Sequence, residues 1–310
     1  MSAEMQIMAA LSKARMRSQH AQPKGSVAAP ARRHRGIHSG REAGPVVYVV
    51  LTILVVVSLF PLYWILVAST RTNAEMNSFH PPLLPGGALV ENVRAALQQA
   101  NIPLALFNSA WVAASVALGA VLTSTMAGFA LAHLRLRRSN LWLTGIIGTM
   151  MVPLQLGIIP LFMVMAKLNL VGKPIAAALP YFTAAFGVFF MRQYLAEAMP
   201  YELLEAGRVD GASVRRIFWS IVLPIARPGM AVLAMLTFMT SWNEFFWPIV
   251  VLNPSNPTVQ VAISQLGQGY VHDQSVIMAG TFVCTMPVVI AFILLGKWIT
   301  SGLIEGAVKG

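Results

Sequence analysis

Apolar residues gather in six long stretches along the chain, and the segments between them carry nearly all of the charged side chains. A helix needs about 20 predominantly apolar residues to cross the hydrocarbon core of a bilayer. The pattern therefore predicts an all-α membrane protein with six transmembrane helices. The stretches are residues 46–69, 104–132, 141–165, 175–195, 229–252 and 277–299.

A polar and basic segment, residues 1–44, precedes the first apolar stretch and shows little apolar periodicity. We expect it to form a flexible cytoplasmic tail. A cleaved signal peptide is the competing interpretation, but such a peptide has an apolar core of only about 7–15 residues. The uncharged run is longer than that, and we interpret residues 45–69 as the first transmembrane helix.

The composition favours a membrane protein over a soluble one. Hydrophobic residues make up 56% of the chain and charged residues 11%, whereas soluble domains carry about 25% charged residues. A soluble fold of this size cannot cover its surface with so few charges. The single cysteine, Cys284, excludes an intrachain disulfide, and the histidines lack metal-ligand spacing on any one helix, so we expect no metal site.

The distribution of basic residues predicts the orientation in the membrane, because cytoplasmic segments are enriched in Lys and Arg. If the N-terminus is cytoplasmic, all but four of the 22 Lys and Arg residues fall on the cytoplasmic side. The four exceptions are Arg71, Arg94, Lys167 and Lys173. We therefore expect both termini in the cytoplasm and an extracytoplasmic loop over residues 70–103.

Prolines inside the predicted spans favour a packed bundle around a cavity. A transmembrane helix tolerates proline where neighbouring helices or water satisfy the freed backbone carbonyls. In the second span, small residues recur at four-residue spacing from Ser115 to Ala127, which lets helices approach closely and predicts a central position for this span. In the third to sixth spans these prolines are Pro153, Pro160, Pro180, Pro248 and Pro287.

The loop between the fourth and fifth spans, residues 196–227, predicts a short helix, a sharp turn and a second helix. Pro200 suits the first position of a helix. Gly211 can end that helix in a left-handed conformation, and Ser213 can cap the next one. The loop either docks onto another protein or lies as an amphipathic helix on the membrane surface.

The same loop resembles the EAA motif of permease subunits of binding-protein-dependent ABC importers. The spacing is a Glu-Ala-Gly triplet, three residues, a Gly, nine residues, and then Ile-Val-Leu-Pro. Gly207 stands where the family usually has Ala. The matching positions are Glu205, Ala206, Gly207, Gly211, Ile221, Leu223 and Pro224.

Two further segments extend the resemblance over roughly residues 104–310. Residues 241–248 resemble the Trp-Asn-[Asp/Glu]-Phe segment of carbohydrate-importer permeases, and residues 301–310 are similar to the tail of the maltose-type second permease. The resemblance implies a type I importer fold, an ABC transmembrane type-1 domain over 104–301 and a cytoplasmic tail over 302–310.

The resemblance also implies partners. A second permease, usually a different chain, completes the pathway; a cytoplasmic ATPase dimer drives transport; and an extracytoplasmic binding protein delivers the solute. Glu205 is expected to pair with a basic residue of the ATPase. The C-terminal residues expected to touch the ATPase are Gly306, Ala307, Val308, Lys309 and Gly310.

The chain lacks a Walker A sequence, so we expect a transport subunit that is not an enzyme, binds no cofactor itself and lies as a multi-pass protein in the bacterial inner membrane. The expected solute is a sugar or oligosaccharide. Glycerol phosphate, a polyamine or another solute of the same transporter class is the alternative, and an ion-coupled carrier acting alone is a further one.

Four residues are candidates for the translocation pathway. Glu244 is the one acidic residue inside a predicted span, where a carboxylate needs water or a partner. Trp242 and Asn243 beside it suit a sugar, although Glu244 could instead hold a bend near Pro248. Gln155 in the third span is either a pathway contact or a hydrogen bond between helices.

Overall fold

A computed structural model of the chain describes residues 44–268 and 272–308, of which 154, 291, 292 and 294–308 are described by their backbone alone. The predicted tail 1–44 lies outside the described residues except for Gly44. The chain divides into two units, 1–55 and 56–310. The described part of the first unit is the beginning of a long helix, and everything below concerns the second unit unless that helix is named.

The described elements are helices. The first half contains α1 (Pro45–Ser69), α2 (Asn73–Met76), α3 (Leu89–Gln99), α4 (Ile102–His133), α5 (Ser139–Thr149), a 3-10 turn (Leu154–Gly157) and α6 (Ile158–Lys167). The second half contains α7 (Pro174–Ala178), a 3-10 turn (Leu179–Tyr181), α8 (Ala185–Ala198), α9 (Tyr201–Val209), α10 (Val214–Ile217), a π segment (Phe218–Val222), α11 (Leu223–Trp242), α12 (Phe246–Val251), α13 (Val259–Leu266) and α14 (Gln274–Val308).

Three described helices are long and apolar enough to cross a membrane, and a fourth joins them if a bent pair counts as one span. The three are Pro45–Ser69, Ile102–His133 and Val214–Trp242, and the bent pair is Pro174–Tyr181 with Ala185–Ala198, at 47°. The coarse prediction of a helical, multi-pass membrane protein is thus confirmed.

Each of the six predicted stretches contains helix, but three of them are interrupted. The third breaks around Pro153, because proline lacks an N–H and disfavours a helical conformation in the residue before it. The fourth bends after Pro180. The fifth ends at Trp242 and resumes at Phe246, so the predicted continuous helix over 229–252 is wrong.

Helix α4 is the centre of the bundle, as its small residues predicted. It packs against α8 and α11. A Cβ atom at Gly128 would lie 2.8 Å from the backbone nitrogen of Arg192 in α8, so glycine is what permits this close approach. Ala113, Ala120 and Ser124 are fully buried along the same helix.

Side-chain hydrogen bonds fix the conformation of the loop between α1 and α4. The Asn92 amide in α3 donates to the carbonyls of Ser69, at 2.9 Å, and Arg71, at 2.8 Å. Thr72 and Glu75 form a capping box at the start of α2. Hydrogen bonds from the Thr72 backbone N–H and side chain lower the pKa of Glu75 below its ordinary value.

Candidate functional site

A helix–turn–helix element, residues 200–224, contains the whole motif found in the sequence. Its first helix, α9, follows Pro200, which lies one position before the helix rather than in its first turn. Gly211 has φ of +73°, and the predicted left-handed cap is confirmed. The N–H groups of Gly211 and Ala212 donate to the carbonyls of Arg208, at 3.0 Å, and Gly207, at 2.9 Å. This pair of bonds is the Schellman motif, which ends a helix sharply.

The second helix begins as predicted at Ser213, whose hydroxyl accepts a hydrogen bond from the N–H of Arg216 at 3.3 Å. It then runs without a break through the π segment into α11. The motif's Ile221, Leu223 and Pro224 therefore lie in the long helix itself. Because Pro224 has no N–H and its ring crowds the carbonyl four residues earlier, the widened π turn accommodates it.

The exposed side of α9 carries Glu205 and Ala206. Leu204 is fully buried and packs in the cluster that includes Met199 and Ile217, so it does not contribute to the exposed surface of the helix. Gly207 is buried as well. A Cβ atom there would lie 3.2 Å from Cγ1 of Ile217, and glycine thus lets the two helices of the element touch.

A shallow hollow of about 190 Å³ lies between α9 and the start of the second helix. The hollow therefore lies at Gly207 and faces the second helix. Its lining comes from both arms of the element and combines apolar, hydroxyl and charged side chains. The residues are Gly207, Asp210, Ala212, Arg216, Ile217, Ser220 and Ile221.

The element is fixed to the end of α4. The Nε2 atom of His133 lies 2.8 Å from the Met199 carbonyl, just before α9 begins. The ring of Phe129 packs against Phe218, with centroids 5.9 Å apart. His133 is buried, and its structural role was not predicted from the sequence. Its position one turn after an aromatic residue at the end of a long span was the available signal.

Glu244 lies in the break between α11 and α12. One carboxylate oxygen accepts hydrogen bonds from the N–H groups of Phe246, at 3.1 Å, and Trp247, at 3.2 Å. These are N–H groups that a helix start leaves without helical partners. The structure thus supports the interpretation of Glu244 as the residue that holds the bend before Pro248.

Glu244 also lines a cavity of about 390 Å³ between α4, α8 and α11. The cavity walls are mostly aliphatic and aromatic, with hydroxyl groups from α11 and from the turn before α8. The lining residues are Val116, Tyr181, Ala184, Phe186, Leu236, Thr237, Thr240, Ser241 and Glu244. Thr237 and Ser241 lie one turn apart in α11, and Glu244 follows just after that helix ends. Their spacing of four and three residues was readable in the sequence.

The other three pathway candidates lie elsewhere. Trp242 is buried and stacks on Phe238 with centroids 5.9 Å apart. Asn243 is exposed, and its amide donates to the Met239 carbonyl at 2.8 Å. Gln155 is exposed on the 3-10 turn before α6. The structure therefore brings one of the four candidates to the cavity.

The C-terminal candidates are only partly described. Gly306, Ala307 and Val308 form the backbone end of α14, and Lys309 and Gly310 lie outside the described residues. Among the side chains that the structure describes, no group of three from His, Cys, Asp or Glu could hold a metal ion.

Comparison with known proteins gives a family match over more than half of the chain. Residues 120–305 match the model of the binding-protein-dependent transport system inner membrane component. The arabinooligosaccharides transport system permease protein of Halalkalibacterium halodurans is 32% identical over 278 residues, which cover 87% of this chain and 99% of that protein.

Two further relatives are similar at the same level. The lactose transport system permease protein of Rhizobium radiobacter is 31% identical, covering 84% of this chain and 95% of its own. The sn-glycerol-3-phosphate transport system permease protein of Yersinia enterocolitica is 32% identical, covering 83% and 95%.

A solved structure shares the fold. A chain of a bacterial ABC transporter involved in the import of the acidic polysaccharide alginate superposes with a TM-score of 0.70. It covers 82% of this chain and 95% of its own length, at 21% identity. That likeness concerns the arrangement of helices.

Proposed function

The chain belongs to the family of binding-protein-dependent transport system inner membrane components, and from this premise we propose that it forms half of the translocation pathway for a sugar or oligosaccharide. It is a permease subunit of an ABC importer, a transport component and not an enzyme. The observation that carries the proposal is the helix–turn–helix element, which presents Glu205 on an exposed helix and passes directly into a long apolar helix.

The proposed topology has six spans with both termini in the cytoplasm of a bacterial inner membrane. It is supported by the six apolar stretches, by the bias of Lys and Arg and by the bent helix pair over residues 174–198, which as a whole is long and apolar enough to form one span. In this arrangement the domain over 104–301 holds five spans, residues 70–103 are extracytoplasmic and the tails 1–44 and 302–310 are cytoplasmic.

The proposed partners are a second permease, a dimer of cytoplasmic ATPases and an extracytoplasmic binding protein. Helix α9 would sit in a groove of the ATPase, and Glu205 would meet a basic residue there. The continuous run from α10 into α11 supports this role, because a force on the element would act directly on a wall of the cavity. The end of the chain, residues 306–310, would make a second ATPase contact.

The cavity favours a neutral, hydroxylated solute over a phosphate ester. Its lining combines aromatic and aliphatic faces with hydroxyls and one carboxylate, and none of these lining residues is Lys or Arg. Sugar CH faces pack on apolar walls, the lining hydroxyls donate and accept hydrogen bonds, and the carboxylate accepts them. A phosphate ester, which the glycerol-phosphate relatives transport, would require a cation to replace its hydration.

Reconstitution tests the proposal directly. The chain, its partner permease, the ATPase and the binding protein are inserted into vesicles, and uptake of radiolabelled oligosaccharides and of glycerol phosphate is measured with and without ATP. We expect sugar uptake that requires both ATP and this chain. Uptake driven by an ion gradient in the absence of the ATPase would contradict it, and uptake of glycerol phosphate alone would overturn the choice of solute.

Glu205 offers a matched pair of variants for the ATPase contact. Glu205→Ala and Glu202→Ala each remove an exposed carboxylate from α9. We expect a several-fold lower recovery of the ATPase with the first and wild-type recovery with the second. Equal recovery with both variants would argue against docking through Glu205.

A further inference from the structure

The loop between α1 and α4 contains an apolar segment that packs against little of the protein. This outer apolar segment, residues 79–84, reads Phe-His-Pro-Pro-Leu-Leu, and no Asp, Glu, Lys or Arg occurs between positions 76 and 90. The exposed fractions of Phe79, Leu83 and Leu84 are 94%, 63% and 71%. Apolar side chains gathered at such exposure indicate a surface that something other than water covers.

A hydrogen bond sets the height of this segment along the first membrane helix. The hydroxyl of Tyr63 in α1 donates to the Leu83 carbonyl at 2.6 Å. Tyr63 lies six residues before Ser69, the last residue of α1, which is about 9 Å along a helix axis. The segment therefore folds back alongside α1 instead of projecting beyond its end.

That height corresponds to the boundary between acyl chains and headgroups. Helix α1 has 25 residues, about 37 Å, whereas the hydrocarbon core is about 30 Å thick. Tyr63 and Trp64 are adjacent in sequence, and tyrosine and tryptophan are enriched at the membrane interface. The outer apolar segment is thus at the level of lipid rather than of bulk water.

Several backbone polar groups in and beside the segment need no hydrogen bond from water. Three of the residues from 79 to 85 are prolines, which have no N–H to satisfy. The Arg71 guanidinium donates to the Leu84 carbonyl through Nε, at 2.9 Å, and Nη2, at 2.7 Å. The Gly86 N–H donates to the Thr70 hydroxyl at 2.8 Å. Irregular backbone is tolerated near lipid only where its polar groups find such partners.

We propose that the outer apolar segment is a membrane anchor whose Phe79, Leu83 and Leu84 side chains insert into the outer leaflet of the phospholipid bilayer. The anchor would hold the loop that connects α1 to α4 at a fixed height on the membrane. The commitment to lipid rests on the depth set by Tyr63 and on the continuity of the segment with the apolar surface of α1.

Site-directed spin labelling in the reconstituted complex tests this proposal. Single cysteines replace Phe79 and Leu84 in a Cys284→Ser background, and the complex is placed in vesicles of phosphatidylethanolamine and phosphatidylglycerol. Collisions of each label with oxygen, which concentrates in lipid, are compared with collisions with a water-soluble nickel chelate. Both side chains are exposed, so neither replacement removes a buried contact.

Two control positions calibrate the result. Val56→Cys places a label on the exposed surface of α1, and Ser255→Cys places one on an exposed polar loop. We expect labels at Phe79 and Leu84 to prefer oxygen, as at Val56, with nickel collisions several-fold fewer than at Ser255. Nickel access equal to that at Ser255 would overturn the anchor.

The alternative occupants of the segment give different results. Low access to both reagents would show that another protein chain covers the segment, and protection that appears only on addition of the binding protein would show a docking site for it. Either result overturns the proposal. If the nickel chelate reaches the label at Val56, α1 does not lie in the membrane and the anchor proposal is wrong. The proposed ATPase contact of α9 is tested separately, by the Glu205 variants.

Discussion

Gly211 determines the direction in which the chain leaves α9. Its φ of +73° lies in the left-handed region, and a Cβ atom at this position would meet nothing within 4 Å. Glycine is therefore selected by the backbone angle and not by crowding. The same angle aligns the N–H groups of Gly211 and Ala212 with the last carbonyls of the helix.

Substitution of Gly211 by alanine or by proline separates the effect of backbone strain from the effect of disrupting the turn between the two helices. Gly211→Ala adds backbone strain of about 1–2 kcal/mol but no clash. Gly211→Pro forces a negative φ and removes the N–H that bonds to Arg208, so we expect α10 to be redirected. Recovery of the ATPase with each purified variant is the measurement. Wild-type recovery with the proline variant would show that the turn does not position the element.

Glu244 joins two roles at one carboxylate, since it caps α12 and lines the cavity. Glu244→Ala removes the cap and should cost about 0.5–2 kcal/mol of stability. Glu244→Gln retains an oxygen acceptor, so we expect its melting temperature to stay near that of the parent while solute uptake falls. Asn243→Ala, which changes an exposed neighbour, is the control. Normal solute uptake with Glu244→Gln would show that Glu244 caps α12 but does not bind solute.

Residue-level prediction succeeded where backbone chemistry was distinctive and failed where only polarity was available. Gly211 and Ser213 were predicted correctly because a left-handed cap and a hydroxyl cap each require particular residue types. Trp242 was predicted to face the translocation pathway, yet it is buried. In a protein that is apolar on every side, hydrophobicity does not tell which face of a helix meets other helices.

At the scale of elements, the apolar pattern located the spans but not their breaks. Pro153 and Pro180 marked two interruptions, whereas Pro287 lies inside a helix that continues. Whether a proline breaks or only bends a helix depends on whether neighbours satisfy the freed carbonyl, and that is a property of packing. The break at Glu244 precedes Pro248 by a full turn, and the sequence indicated it only through the alternative role of Glu244 as a residue that holds a bend.

A group of asparagines ties three elements together at the end of α4 opposite His133. The buried Asn108 amide donates to the side chain of Asn256, at 2.7 Å, and to the Pro257 carbonyl, at 2.9 Å. The Asn256 amide in turn donates to the Gly172 carbonyl at 3.0 Å. Each bond joins segments that are distant in sequence, and for that reason pattern reasoning did not find the group.

Removal of Asn108 should loosen this junction. Asn108→Ala leaves two acceptors without their donor in a buried site, and we expect a loss of about 1–3 kcal/mol in stability. Asn77→Ala, at an exposed position of the α1–α4 loop, should change stability by less than about 0.5 kcal/mol. Thermal unfolding of both variants in detergent measures the difference. Equal melting temperatures would show that the asparagine group does not hold the elements together.

At the scale of the whole molecule, the proposed orientation sends the α9 element and the loop 253–258 to opposite faces of the membrane. Each of these two segments contains one well-exposed residue that can carry a probe. Val209 at the end of α9 is 86% exposed, and Ser255 is exposed in the loop between α12 and α13. Asn256 beside it is a poor site for a probe, because its side chain is bonded to Asn108.

A pair of single cysteines therefore tests the topology on which the proposed coupling depends. In a Cys284→Ser background, Ser255→Cys should react with a membrane-impermeant maleimide in intact cells. Val209→Cys should react only after the membrane is opened, because cytoplasmic segments carry the excess of basic residues. Both positions are exposed, so a difference in labelling reports sidedness and not burial. Labelling of Val209→Cys from outside would invert the topology and place Glu205 on the face away from ATP.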